Sequence, residues 1–438
     1  MNYTNKLILI IFLISFKGFT QEKLTKEDAV SIALEQNYGI KLAKNNVEIA
    51  KNNASIYNSN HLPSITASGN GTYSNSNLEN TLQNGNKSTI DDAEAKNYSA
   101  SVGLNYTLFD GLGRSYNYQK LKENYNVTEL EAQTVIENTL LQLFYLYYEV
   151  ARLSENSKNI LETLNISKQR LERATYAFEY GQNTKLQVLN AEVDINNDSI
   201  QYINSLQLLS NAKRDLNLLL ARNVATPFTV DTEVAFNTIY NLEELLEKAK
   251  QQNTKLQIVH KNVEINQLNL KINKANLFPK LSLNSAYKWT KADNDNTFNY
   301  AEQLTKGINA GVTLNWNIFD GGSTKTKIQN SKIATTNALI QQEASENQLI
   351  RDVSTAFEVY QNALFILQAE EKNVTTNKIN FSRTEEQFKL GQVSSIEFRQ
   401  AQINLLNAKS NLNQATYDAK NAELYLLQLS GDLLYTKF

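Results

Sequence analysis

The chain of 438 residues contains no cysteine, only three prolines and only two histidines. Without cysteine there can be no disulfide, no thiol nucleophile and no thiolate metal site. So few prolines favour long helices, because a proline in a helix interior kinks or ends the helix. The net charge of −2 gives no electrostatic reason to expect nucleic acid or an anionic membrane surface as a partner.

Long apolar runs are also missing. After residue 20 there is no stretch of about 18 consecutive apolar residues, so no transmembrane helix is expected. Residues 1–20 combine Lys6, a short apolar segment from Leu7 to Phe16 and an acceptable cleavage site, which is the arrangement of a secretory signal peptide. An uncleaved anchor is the alternative. The protein is expected to leave the cytoplasm, and then either to stay soluble or to cross an outer membrane as strands.

The sequence is internally duplicated, and the duplication divides the chain. Asn-Val-Glu-Ile occurs at 46–49 and 262–265, Phe-Asp-Gly at 109–111 and 319–321, and Phe-x-x-Gly-Gln at 178–182 and 388–392. A repeat of this size means that one structural unit is used twice. The predicted divisions are a signal peptide (1–20), a first structural repeat (21–222), an equatorial connector (223–240), a second structural repeat (241–430) and a C-terminal tail (431–438).

Each repeat contains two segments in which apolar and uncharged polar residues alternate, the pattern of strands. The segments predict β-hairpins at about 64–109 and 280–319, built from four strands of roughly ten to twelve residues, a length typical of outer-membrane barrels. Tyr and Trp near the strand ends suit the membrane interfaces. A soluble sandwich with one buried face is the alternative. The polar stretches at about 76–97 and 293–307 are expected to be loops outside the cell.

Helical periodicity fills the rest of the chain. It predicts helices over 24–60, from Gly111 to about Tyr180, and over 185–222, 241–276, 322–390 and 394–429. Each of the two longest would extend for roughly 100 Å at 1.5 Å per residue. Gly181 and Gly391 would turn the chain between paired helices, since glycine tolerates the left-handed conformation that ends a helix.

These features together resemble the TolC family of outer-membrane channel-tunnel proteins. The resemblance covers about residues 24–430. It rests on the duplication, the Leu-Pro or Phe-Pro before each hairpin, the Phe-Asp-Gly after it, and the tip motif that begins at Gly181 and at Gly391. It implies an internally duplicated α+β membrane protein. Long antiparallel helical hairpins would form a periplasmic tunnel, and four strands per chain would contribute to a trimeric 12-stranded outer-membrane β-barrel.

The resemblance also implies partners and a location. The chain would form a homotrimer in the outer membrane, contact outer-membrane lipid and extend into the periplasm. There it would meet a periplasmic adaptor (membrane fusion) protein and an inner-membrane pump. An oligomer is expected on physical grounds too, because the two open edges of a four-stranded sheet cannot face lipid.

Candidate site residues follow from the tip motif. The resemblance implies a pore entrance lined by Glu397, Gln400, Gln187 and Asn190, only one of which is acidic. Adaptor-docking tips are implied at Gly181, Gln182, Thr184, Gly391, Gln392 and Ser394. Relatives carry a latching arginine where this chain has Val393, which puts an ionic latch at that position in doubt. The alternative for Glu397 is a solvated carboxylate at a helix start, favoured by the helix dipole.

No enzyme chemistry, cofactor or metal site is predicted, since His61 and His260 have no ligand spacing and occupy unrelated repeat positions. The predicted function is an export duct of a tripartite efflux system that passes small molecules from pump and adaptor to the exterior. An outer-membrane duct for type I protein secretion is the first alternative. A soluble periplasmic coiled-coil adaptor or scaffold is the second.

Overall fold

The computed structural model describes residues 22–236, 240–294 and 301–436. The predicted signal peptide lies outside these residues. The strands are β1 (Glu22–Leu24), β2 (Ser64–Thr81), β3 (Lys87–Phe109), β4 (Phe228–Val230), β5 (Lys280–Asn294) and β6 (Glu302–Asn315). The helices are α1 (Lys26–Gln36), α2 (Tyr38–Asn53), α3 (Gly113–Glu179), α4 (Lys185–Leu219), α5 (Leu242–Gln252), α6 (Thr254–Ala275), α7 (Ser323–Lys389) and α8 (Ser395–Ser430).

The chain divides into two compact units, and each contains parts of both predicted repeats. One unit, here called the helical unit, comprises the described residues within 1–45, 130–257 and 345–438. The other, called the sheet unit, comprises the described residues within 46–129 and 258–344. The division into two sequence repeats stays a prediction, because contacts group the chain in a different way.

The long helices are present as the periodicity predicts. Helices α3 and α7 have 67 residues each, which corresponds to roughly 100 Å. Each is followed by a short turn and a returning helix, α4 of 35 residues or α8 of 36 residues. No described helix is long and apolar enough to cross a bilayer.

The two helices predicted before the hairpins are each broken, which corrects the sequence prediction. The breaks fall at Asn37 and Asn253, so that 24–60 and 241–276 are not continuous helices. The Asn37 amide donates to the Leu219 carbonyl oxygen at 2.8 Å and its Oδ1 accepts from the Ile40 amide at 3.1 Å. Asn253 makes the same pair of bonds, to Leu429 at 3.0 Å and from Leu256 at 3.0 Å. Each asparagine therefore caps the start of one helix and an end carbonyl of another.

The sheet unit contains one four-stranded antiparallel sheet in the order β2-β3-β5-β6. Its strands have 18, 23, 15 and 14 residues, so the predicted length of ten to twelve was too short. Most of the expected loop at 76–97 is strand, and the β2–β3 turn occupies only residues 82–86, with Gly85 at φ 84°. Within the second expected loop, β6 begins at Glu302, while residues 295–300 lie outside the described chain.

The strands are aligned so that the apolar sides form one continuous face. Across the sheet, Ala67 pairs with Val102, Val102 with Tyr287, and Tyr287 with Ile308. The next residue along each strand belongs to the opposite face, where hydroxyl and amide side chains meet. Ser68 and Ser101 there share a hydrogen bond of 2.9 Å. The alternation read from the sequence is therefore confirmed, and all four strands share it in register.

The two Phe-Asp-Gly motifs make the turns from strand to long helix. Asp110 Oδ2 accepts from the Arg114 amide at 3.0 Å, and Asp320 Oδ2 accepts from the Thr324 amide at 2.8 Å. Each aspartate thus satisfies a free amide in the first turn of its helix. Gly111 has φ 67°, and a Cβ there would lie 2.6 Å from the Ala275 carbonyl oxygen, so no larger residue fits without a shift.

The core of the helical unit is built around aromatic residues of α3. Phe144, Tyr147 and Tyr148 are fully buried with Leu216 of α4 and Leu424 of α8. The Tyr147 hydroxyl donates to the Leu24 carbonyl oxygen and accepts from the Asp231 amide, both at 3.0 Å. These bonds hold the parallel β1–β4 pair onto the helices. Burial raises the pKa of Tyr147 to about 12, so its hydroxyl stays protonated.

Candidate functional site

The turns between paired helices have the same backbone design in both hairpins. Gly181 has φ 72° and Gly391 has φ 75°. The amide after each glycine donates back to the helix, Gln182 to the Ala177 carbonyl oxygen at 2.7 Å and Gln392 to the Gln387 carbonyl oxygen at 2.9 Å. This is the Schellman arrangement, in which a left-handed glycine closes the helix end.

The two returning helices begin differently. Thr184 precedes α4 and makes no side-chain capping bond to any described residue. Ser394 precedes α8 and forms a reciprocal capping box: its Oγ accepts from the Glu397 amide at 3.2 Å, and Glu397 Oε2 accepts from the Ser394 amide at 2.8 Å. Hydrogen bonds from the Ser394 backbone and side chain lower the pKa of the Glu397 carboxyl. The carboxylate is exposed, and in the single chain it caps the start of α8.

The other predicted entrance residues stand apart from one another. Gln187 is half-buried, Asn190 and Gln400 are exposed, and the Gln400 amide donates to Asn404 Oδ1 at 2.8 Å. In the part of the chain that is described, no hydrogen bond joins any two of Glu397, Gln400, Gln187 and Asn190. Their role at an entrance depends on other copies of the chain and stays a prediction.

Close to the turns, the two helical hairpins are joined by an arginine and aromatic rings. Arg173 of α3 donates to the Lys389 carbonyl oxygen at the end of α7, at 2.7 Å, and its guanidinium lies 5.4 Å from the Phe388 ring. Phe388 stacks on Phe398 of α8 with ring centroids 4.7 Å apart. A cation at a helix C-terminus is favoured by the helix dipole.

A buried cluster of charges, which the sequence reasoning missed, joins three helices. Arg399 of α8 binds both carboxylate oxygens of Asp198 of α4, at 2.6 and 2.8 Å, and donates to Ser167 of α3 at 3.2 Å. One turn away Arg170 pairs with Asp194. The side chains of Arg170 and Asp198 are only 2% and 4% exposed.

The charges in this cluster, two arginines and two aspartates, balance. Burial lowers the pKa of Arg170, while Asp194 beside it opposes that shift. Gln402 completes the cluster by donating to the Thr163 carbonyl oxygen at 2.8 Å and to Ser167 Oγ at 3.1 Å. A sequence signal existed: Ser167 and Arg170, Asp194 and Asp198, and Arg399 and Gln402 are each spaced to share one helix face.

The apolar face of the sheet is exposed in the single chain. Its aliphatic residues Ile65, Val102, Val312, Leu314 and Ile308 are between 53% and 73% exposed. A soluble sandwich would cover such a face with a second layer of side chains. Exposure on this scale marks a surface that contacts a partner or a membrane.

No metal-binding group emerges from the described residues. Within 22–236, 240–294 and 301–436, no three histidines, aspartates or glutamates could together hold an ion. His61 Nδ1 lies 3.0 Å from Ser59 Oγ, and its ring packs edge-on against Tyr118 at 5.9 Å.

Comparison with known proteins places this geometry in a family. The profile of the outer membrane efflux protein family matches residues 29–222 and 245–432. The chain is 24% identical over 299 residues to the outer membrane protein TolC of Vibrio cholerae, covering 68% of each protein. The CmeC outer membrane channel of Campylobacter jejuni has a TM-score of 0.79 at 16% identity, over 93% of this chain and 86% of that one. VceC of Vibrio cholerae has a TM-score of 0.76 at 14% identity, over 93% and 96%.

Proposed function

The chain belongs to the outer membrane efflux protein family, and from that membership we propose that three copies form the outer-membrane duct of a tripartite efflux system. The chain is an outer-membrane channel protein that extends into the periplasm. The duct would receive small molecules from an inner-membrane pump and its periplasmic adaptor, and release them outside. It would supply a path and no catalysis.

The observation that carries this proposal is the sheet with one apolar and one polar face. All four strands place their apolar residues on the same side in register, and that side is exposed. Alternation of this kind lets one face meet lipid while the other lines a polar lumen. The hydroxyl and amide groups of residues such as Ser68, Ser101 and Asn284 would hydrogen-bond to water in the lumen. They would not bind an uncharged solute tightly.

The sheet edges support a trimer. Strands β2 and β6 are the edges, and among the described residues each has a partner strand on one side only. A backbone amide or carbonyl that has no hydrogen-bond partner in the hydrocarbon of a bilayer costs several kcal/mol. Three copies joined edge to edge would close a barrel of about twelve strands, within the range that outer-membrane proteins use.

We propose that the hairpin turns dock the adaptor. Gly181, Gln182, Thr184, Gly391, Gln392 and Ser394 are all exposed and end both hairpins with the same backbone geometry. Three copies would present six such turns, so a partner could bind them with matching symmetry. Glu397, three residues into α8, would lie next to this surface and contribute the negative charge of the entrance.

A reconstitution experiment tests the duct. Trimers purified from outer membranes should conduct ions in a planar bilayer, and cells lacking the protein should accumulate a small fluorescent dye. Unchanged dye accumulation with loss of a secreted protein would instead favour the type I secretion duct. A protein that washes from membranes with salt would be the periplasmic scaffold, and the barrel proposal would fail.

Docking is tested with bulky substitutions that leave the turn backbone intact. Gln182→Trp and Gln392→Trp together should abolish dye export while trimer yield and conductance stay normal. Gln361→Trp, an exposed position on α7 remote in sequence from the turns, is the matched control. If the double variant exports normally, the turns do not dock the adaptor.

A further inference from the structure

An apolar cavity of about 340 Å³ lies in the sheet unit where strands give way to helices. Its size falls within the range of ligand pockets, roughly 300–1,000 Å³. It is lined by Phe109, Gly111, Leu112, Tyr116, Lys271, Lys274, Ala275 and Phe278. A second cavity in this unit, of about 650 Å³, has a polar lining that includes Asn105, Asp110 and Arg114. The two cavities therefore differ in the chemistry they can hold.

Leu112 lines the apolar cavity from an unfavourable backbone conformation. Its φ is 70°, in the left-handed region that disfavours residues with a Cβ. The matching position in the second repeat is Gly322, at φ 90°, where no such cost arises. Leu112 is 54% exposed, so burial in the single chain does not account for a leucine there. A strained residue retained at an exposed position suggests a ligand contact.

The two cavity lysines have no acidic partner in the described part of the chain. Both are exposed, and Lys271 Nζ lies 5.7 Å from the centre of the Tyr116 ring. They belong to a wider basic zone, since residues 113–122, 265–280 and 323–342 contain no aspartate or glutamate. The basic residues of these segments are Arg114, Lys120, Lys122, Lys271, Lys274, Lys280, Lys325, Lys327 and Lys332. Such a zone beside a membrane attracts phosphate headgroups.

We propose that the apolar cavity binds a glycerophospholipid of the periplasmic leaflet. An acyl chain would lie against Phe109, Leu112 and Phe278, and the headgroup phosphate would be held by Lys271 and Lys274. The proposal rests on the membrane orientation given under the proposed function, which puts the strand–helix junction at the periplasmic surface.

A lipid fits this cavity better than a second copy of the chain. The cavity is built where β3 ends at Phe109 and just before β5 begins at Lys280. These are the two inner strands of the sheet. A barrel closed by several copies would join them through the edge strands β2 and β6 instead. Apolar rings together with two ammonium groups that have no acidic partner among the described residues complement a molecule that has both an acyl chain and a phosphate.

Photolabelling tests the proposal. Trimers in detergent are incubated with a phosphatidylglycerol that carries a diazirine in one acyl chain, irradiated, and mapped by peptide mass spectrometry. Adducts should concentrate in peptides covering 109–116 and 271–278. Lys271→Gln with Lys274→Gln should lower this labelling roughly thirtyfold, because each lysine near a headgroup adds about 1 kcal/mol of affinity. Lys325→Gln with Lys332→Gln removes the same charge from the basic zone outside the cavity, and should leave the labelling unchanged.

The variant Leu112→Gly tests the apolar contact with the acyl chain and leaves the charge of the cavity unchanged. It removes the side chain and the backbone cost together, so labelling should fall while thermal stability does not. Inorganic phosphate in millimolar excess should not compete, because it has no acyl chain. Equal loss in the two double-lysine variants, or no adducts at these peptides in the unaltered protein, would overturn the proposal. Conductance of the same trimers is measured alongside, so failure of the lipid site is distinguishable from failure of the duct.

Discussion

At the scale of single residues, Glu397 caps the start of α8, and we propose that its charge also lines the channel entrance. Its Oε2 accepts from the Ser394 amide, which lowers the pKa of the carboxyl in the single chain. Glutamine at this position can also close a capping box, so Glu397→Gln removes the charge and keeps the cap. The substitution therefore isolates the electrostatic contribution of the proposed entrance ring.

We expect trimers to be cation-selective in a planar bilayer and Glu397→Gln to weaken that selectivity, measured as reversal potential in a salt gradient. In the single chain the hydrogen bonds from Ser394 lower the pKa of this carboxyl, so it is charged at the neutral pH at which the selectivity would be measured. Ser394→Ala, which removes the cap at a cost of about 1 kcal/mol, should keep the selectivity. Unchanged selectivity in Glu397→Gln would mean that the residue acts only as a cap.

The buried charge cluster supports a second prediction at this scale. Arg399→Met would leave Asp198, whose side chain is 4% exposed, without its cation. Removing one partner of a buried pair destabilises by roughly 3–5 kcal/mol, since the remaining charge stays buried. Thermal and denaturant unfolding followed by circular dichroism should show this loss. The double variant Arg399→Met with Asp198→Leu should recover much of it.

Arg383→Met is the control for that series, because Arg383 is an exposed arginine on a neighbouring long helix. An exposed substitution usually changes stability by about 0.5 kcal/mol or less. If Arg399→Met lowers the free energy of unfolding by no more than Arg383→Met does, the cluster is not a structural junction between α3, α4 and α8.

At the scale of elements, the sequence predicted whether a segment is a helix or a strand better than it predicted the residues at which that helix or strand begins and ends. Alternation between apolar and polar residues identified the strands only where one face is apolar, so the polar outer parts of β2 and β3 were taken for loop. Those parts pair through backbone hydrogen bonds, as Ser74 does with Ala95 and Leu78 with Ile90, and need no apolar face. The breaks at Asn37 and Asn253 were missed because asparagine is common in these helices. What distinguishes the two is a partner carbonyl distant in sequence.

The sheet faces give the element-scale prediction. Val312 and Thr313 are adjacent on β6 and belong to opposite faces. Arginine at a lipid-facing position near the bilayer midplane costs about 2–4 kcal/mol, whereas a lumenal position tolerates it. Val312→Arg should therefore reduce trimer yield in outer membranes, and Thr313→Arg should not. Equal yields would contradict the assignment of the faces.

At the scale of the whole molecule, the duplication, the family motifs and the leucine-to-glycine difference between the two repeats can be read from the sequence, while the backbone strain at Leu112 and the contacts of the Arg399 cluster cannot. Both repeats have the same turn glycines and the same capping aspartates, but Leu112 in the first corresponds to Gly322 in the second. The Arg399 cluster likewise draws one residue pair from each of three helices, and no pair is unusual by itself. Such features arise from packing between distant segments, which local periodicity does not record.

The orientation of the molecule in the envelope supplies the last prediction. The chain has no cysteine, so a single introduced thiol reports one position. Asn84 lies in the exposed β2–β3 turn and Gln182 in the exposed turn after α3. In Asn84→Cys, a polymer-linked maleimide too large to enter pores should label intact cells, because the turn would lie outside the outer membrane. In Gln182→Cys, the same reagent should label only after the outer membrane is permeabilised, because that turn would lie in the periplasm. The reverse pattern would invert the topology and move the proposed lipid cavity to the outer leaflet.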